Sequence, residues 1–133
     1  MDEAAAVRLQ TRMADLCGHL NVLHAQLVQT VVEAIDGDLW MQSGIKSVEH
    51  WLAWQTGLSP AHAKQLVDTA RRCAELPVTF AAFADGELSV DQVAEVCQLA
   101  KSATVNQLRT VMSRYVHTVG PHPETRTGGP WWW

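Results

Sequence analysis

The sequence predicts an all-α protein, a multi-helix bundle with a long N-terminal helix and a helix-turn-helix-like centre. Three observations carry that prediction. Apolar residues recur at spacings of three and four along most of the 133 residues, Ser and Thr stand where helix N-caps are needed, and no stretch shows sustained strand alternation bounded by hairpin turns. A chain of this length has room for one domain whose core needs neither disulfides nor metal. Hydrophobic residues make up 47% and charged residues 18%, a globular composition rather than a disordered one.

The first helix is expected from Met1 to Asp36, starting at Asp2 and ending at the Asp36-Gly37-Asp38 turn. Within it Leu9, Met13, Leu16, Leu20, Leu23 and Leu27 follow heptad spacing, the pattern of a helix seam. Fewer than three clean heptads make an isolated coiled coil marginal, which favours packing against the chain's own helices over pairing with a second copy. Gly18 in mid-helix suggests a close approach or a slight kink. Leu39 to Lys46 is a connector with Trp40 tucked beneath it.

Ser47 to Arg72 carries the sharpest punctuation. Ser47 is a candidate N-cap, Glu49 favours the positive end of the helix dipole, and Val48, Trp51 and Leu52 share a face. Thr56-Gly57 stops that helix, Ser59 caps the next, and Pro60 suits its first position because its missing donor costs nothing there. Ala63, Leu66, Val67, Ala70, Cys73 and Ala74 form one stripe, opposite an outer face of His62, Lys64, Gln65, Asp68, Arg71 and Arg72. Trp51 and Leu66 are expected in the core. Pro77 then opens a short helix with Val78, Phe80, Ala81 and Phe83 as its apolar surface, and Gly86 ends it. Ser89 to Gln92 matches a capping box ahead of Val90, Val93, Cys97 and Ala100. Thr104 to Gln107 matches a second, with Val105, Leu108, Val111, Met112, Tyr115 and Val119 inward. The helical domain is thus 1–119, and residues 120–133, rich in Pro and Gly and ending in Trp131-Trp132-Trp133, form a flexible tail.

The chemistry these residues allow is narrow. His19 and His24 diverge around a helix, Cys17 and His19 do the same, and His50, His62, His117 and His122 belong to separate elements, so no metal is expected. Cys17, Cys73 and Cys97 form no CxxC and are expected as reduced, buried thiols. There is no GxSxG element, Gly-rich phosphate loop or HExxH, and the Asp36/Asp38 and Asp85/Glu87 pairs bracket glycine turns. We therefore expect no catalytic residue, no cofactor, no small-molecule substrate and no enzymatic activity. The acidic N-terminus and the lack of a ~20-residue apolar run point to a cytoplasmic protein without a membrane span.

Nucleic acid fits better. A net charge of −4 excludes coating by bulk electrostatics but leaves room for a local basic face. Lys64, Arg71 and Arg72 outweigh Asp68 and Glu75, and Lys101, Arg109, Arg114 and Arg126 outweigh Glu124. His62, Lys64 and Gln65 occupy the first turns of the candidate recognition helix, where base edges are read; Arg71 and Arg72 stand where phosphates lie. Arg109 and Arg114 complete the candidate set. Against this, Asp68 is four residues from both Lys64 and Arg72, the spacing of a self-paired solvated face.

The words GHLNVLHAQLV, HWLAWQTGLSP, ARRCAELPVTFAAFADGELSVDQV and TVNQLR, in that order, resemble the actinobacterial 13E12-repeat family, whose shared N-terminal region is domain of unknown function 222. The resemblance covers roughly Asp15 to Tyr115. It implies an all-helical domain of undetermined biochemistry, typically upstream of an HNH endonuclease domain and associated with repeated or mobile genetic elements. Between Asp91-Gln92-Val93 and Thr104 the family carries about one more helix than this chain. Family members also run on into the nuclease, whose histidine base and metal ligands have no counterpart here, so no catalytic residue transfers. The expected role is a non-catalytic module that binds or positions DNA, or else one that pairs through the Leu9 to Leu27 seam with a second copy or a full-length relative. A truncated gene fragment is the third reading.

Overall fold

The computed structural model describes residues 1–41, 44–100, 107 and 109–114. Thr104, Val105, Leu108, Tyr115, Val119 and the 120–133 tail lie outside the described residues. Five α-helices follow in order: α1 (Glu3–Asp36), α2 (Val48–Thr56), α3 (Pro60–Arg72), α4 (Pro77–Ala84) and α5 (Val90–Leu99), with a 3₁₀ turn at Cys73–Glu75 between α3 and α4. Residues 109–114 are helical as well, and no strand occurs among the described residues.

Four of the five starts carry a side-chain cap, and α4 opens on Pro77 without one. Asp2 Oδ1 accepts from the Ala5 backbone N–H at 2.7 Å, Ser47 Oγ from His50 N–H at 3.1 Å and Ser59 Oγ from His62 N–H at 3.2 Å. These bonds satisfy donors that the first helical turn leaves without partners. Ser89 and Gln92 close the full capping box, with Gln92 N–H donating to Ser89 Oγ at 3.1 Å and Ser89 N–H to Gln92 Oε1 at 2.9 Å. Ser89→Ala removes half of that box; the expected loss is about 1 kcal/mol in urea unfolding, with an unchanged m-value. A loss below a few tenths would show that packing alone fixes the start of α5.

α3 is the centre of the bundle, in contact with α1, α2 and α5. Its stripe of Ala63, Leu66, Val67 and Ala70 is buried, and Val48, Trp51 and Leu52 of α2 close over it from one side. Phe83, Leu88, Val90, Val93, Val96 and Cys97 extend the core through α4 and α5, and Met112 reaches it from the 109–114 stretch. Within the stripe Cys73 is only half-buried and Ala74 exposed, because the 3₁₀ turn takes over from the α-helix there. In α4 the expected face is displaced. Thr79, Ala82 and Phe83 are buried, whereas Val78 and Ala81 face outward. The reason is Met112, whose sulfur accepts from Thr79 Oγ1 at 3.4 Å and draws the Thr79 side inward.

The largest departure concerns α1. Its buried residues are Asn21, Val28, Val31 and Ala34, not the heptad leucines. The α4–α5 turn docks on the other side of the helix: Asn21 Nδ2 donates to Gly86 O at 3.1 Å, and Gly86 lies against Gly18 O and the Val22 side chain. The close approach suggested by Gly18 is therefore real, but Gly86 makes it, and the space beside the Gly18 Cα is open. Leu9, Met13, Leu16, Leu20 and Leu23 are left in solvent, and only Leu27 packs against the core.

Candidate functional site

The outer face of α3 sits where the sequence places it, yet its partners differ. Lys64 Nζ lies 2.8 Å from Asp68 Oδ2, and that hydrogen bond, with the charge behind it, raises the lysine above its ordinary pKa. Arg72 does not share Asp68 and instead meets Glu75 at 3.2 Å. Arg71 reaches across to Glu49 of α2 at 3.6 Å. Gln65 Nε2 donates to Asp91 Oδ1 of α5 at 3.0 Å. His62 is half-buried beside the Ser59 cap.

Between α3 and α5 runs a groove of about 480 Å³, lined among others by Lys64, Gln65, Asp68, Arg72, Asp91 and Glu95. Two cations stand against three carboxylates, so the groove has no net attraction for phosphate. Arg109 and Arg114 are exposed on the 109–114 stretch and do not line it. Asp91 and Glu95 are legible in the sequence as acidic residues, but their position opposite α3 is not. The pairing of α3 with α5 is what sets them against the basic face.

The second candidate surface is the α1 arm. A helix of 34 residues spans about 50 Å, and its buried residues begin only at Asn21. Before that point Leu9, Met13, Leu16 and Leu20, with Leu23 just beyond, are 46–65% exposed on one face. Five large apolar side chains in a continuous line present about 500 Å² of apolar surface, at the upper end of what a monomer usually shows. Their flanks are Gln10, Arg12, Cys17, His19, His24 and Gln26, so the stripe has a polar border with little charge.

Cys17 is exposed, contrary to the expectation of three buried thiols, because it borders the solvent-facing leucines. Cys73 is half-buried and desolvation pushes its thiol up, away from the thiolate a nucleophile needs. Among the described residues no three or more His, Cys, Asp or Glu side chains gather as a metal site would require. Among them, too, no helix is long and apolar enough to cross a membrane.

No curated protein and no solved structure matches the chain. The family model for a domain of unknown function (DUF222) matches residues 5–126, a span that takes in α2 to α5 complete and all of α1 except Glu3 and Ala4, and the chain belongs to that family.

Proposed function

We propose that this domain is a non-catalytic helical module that docks onto another protein through the exposed stripe of α1. One observation carries the reading: Leu9, Met13, Leu16, Leu20 and Leu23 keep heptad spacing while facing solvent. Heptad spacing is costly to keep exposed and is what a facing helix recognises. The role is cytoplasmic, in keeping with three free cysteines. Its natural partners are a second copy or a larger relative, which the family resemblance links to HNH nucleases of mobile elements.

DNA positioning through His62, Lys64, Gln65, Arg71 and Arg72 is the weaker reading. Exposed ion pairs are worth little, so the Lys64–Asp68 pair alone would not prevent a phosphate contact. The sign of the α3–α5 groove weighs more, since Asp91 and Glu95 stay in place whatever Lys64 does.

The test is association in solution, with and without a longer relative carrying the same domain. Sedimentation velocity at high micromolar concentration should show a complex that Leu16→Asp and Leu20→Asp abolish while helicity is retained. A short duplex should not shift at low salt. Absence of any stripe-dependent complex, or a salt-sensitive shift weakened by Lys64→Ala and Arg72→Ala, would move the function to α3.

A further inference from the structure

Deepening that docking reading, on which this step rests, we infer that the occupant of the α1 stripe is a second copy of the same helix, running antiparallel. The pattern pairs with itself in parallel, each residue on its counterpart, and in one antiparallel register. With two copies of α1 crossing at the level of Gly18, Met13 meets Leu23 and Leu16 meets Leu20, while Leu9 comes to the edge of the stripe at Leu27, which is partly held by the domain's own core. No seam side chain is left opposite a polar group, which would be the mark of a seam meant for a different sequence.

The flanks agree with this register. In an antiparallel pair Gln10 lies beside His24 of the second copy, Arg12 beside its Gln26, and Cys17 and His19 each meet their own counterparts across the twofold axis. Arg12, the one Arg, Lys, Asp or Glu on either flank, therefore faces a neutral amide, and no like-charged pair opposes the association. Area is sufficient as well. About 500 Å² of apolar stripe on each copy gives about 1,000 Å² for the pair, which the flanking residues bring toward the 1,200–2,000 Å² total of a standard interface. A twofold pair also closes on itself and leaves no second stripe open for further chains.

Orientation follows from where the stripe ends. The next position of the same repeat beyond Thr30 is Ala34, which is buried in the domain's own core. Two parallel copies would therefore bring both helical bodies to the same end of the seam. Antiparallel copies place the bodies at opposite ends and oppose the helix dipoles. The face that carries the leucines is opposite the one on which the α4–α5 turn sits through Asn21 and Gly86, so the free part of α1 is open to a second helix.

The experiment uses the full chain. Sedimentation equilibrium should give a dimer at high micromolar concentration, and Leu16→Asp should weaken it more than about a hundredfold because a carboxylate would enter an apolar seam. Leu16→Gln, a neutral helix former, should weaken it with the circular dichroism unchanged, which separates lost pairing from lost folding. Orientation is read in a Cys17→Ser background with Gln10→Cys on one chain and His24→Cys on another. A short bis-maleimide should join the two unlike chains, at a yield well above that of either alone and above the Cys17→Ser background. Crosslinking of like chains only would overturn the antiparallel register. A chain that stays monomeric overturns self-pairing altogether; if that monomer still binds a longer relative through the stripe, docking stands and the second copy is excluded.

Discussion

Phe83→Ala should lower the unfolding free energy by about 3–5 kcal/mol, the loss typical of emptying a fully buried aromatic site. Phe83 is 1% exposed and is the largest fully buried side chain among the described residues. It projects from α4, which packs against both α1 and α5, so the space it fills is bounded by three elements and cannot collapse by moving one. Its ring also meets Phe80 edge-on at 5.9 Å, an arrangement worth a further ~0.5–1.5 kcal/mol beyond area. Phe83→Leu, which keeps most of the volume, should cost less than about 1.5 kcal/mol. Phe80→Ala supplies the control, because Phe80 is only half-buried and keeps the ring contact as its main loss. Urea titration reads all three. Equal losses for Phe80→Ala and Phe83→Ala would show that the ring pair, not burial, is what α4 contributes.

A core of this kind has a direct bearing on the stripe. Val28, Val31 and Ala34 hold the C-terminal half of α1 in the bundle. The N-terminal half is then an extension of a helix whose nucleation is already complete, so each added turn needs only propagation. That is why an arm with no buried residue before Asn21 can remain helical at all. It is also why charged substitutions at Leu16 or Leu20 should leave the domain folded, making the stripe an unusually clean place to separate binding from stability.

What could be read from the sequence was the part decided locally. The caps at Ser47, Ser59 and Ser89, the stop at Gly57 and the burial of Trp51 and Leu66 all follow from residues a few positions apart. The inward face of α1 does not. Six heptad-spaced apolar residues outweigh Asn21 in any periodicity, yet Asn21 is buried because its amide finds a carbonyl 65 residues away. The displaced face of α4 has the same origin, since Thr79 turns inward to a sulfur 33 residues away. At the candidate site the residue types were legible and their partners were not. Arg71 pairs with Glu49 and Gln65 with Asp91 only because α2 and α5 flank α3. The seam from Leu9 to Leu23 is not packed inside the domain, since the α4–α5 turn sits on the other side of α1.

Gly86 is where that turn is held, and Gly86→Ala should cost about 2–4 kcal/mol. Its φ of +81° lies in the left-handed region, where a side chain adds about 1–2 kcal/mol. A Cβ built there would also stand 2.9 Å from Gly18 O and 2.9 Å from Val22 Cγ2. Val22 can rotate, but Gly18 O belongs to the α1 backbone and cannot yield without bending the helix. The turn must retreat instead, and in doing so it lengthens the 3.1 Å bond from Asn21 Nδ2 to Gly86 O, stranding a buried amide at a cost of about 1–3 kcal/mol. Gly18→Ala gives the opposite sign. Nothing lies within 4 Å of a Cβ at that position, so the change should stabilise the helix interior by about 0.5–1 kcal/mol. Two glycines in contact thus predict shifts of opposite direction in one urea series. A double-mutant cycle of Gly86→Ala with Asn21→Ala should be strongly non-additive, since either change breaks the same bond. Additive losses would mean that the turn tolerates a methyl without moving, and that contact with α1 is not what fixes it.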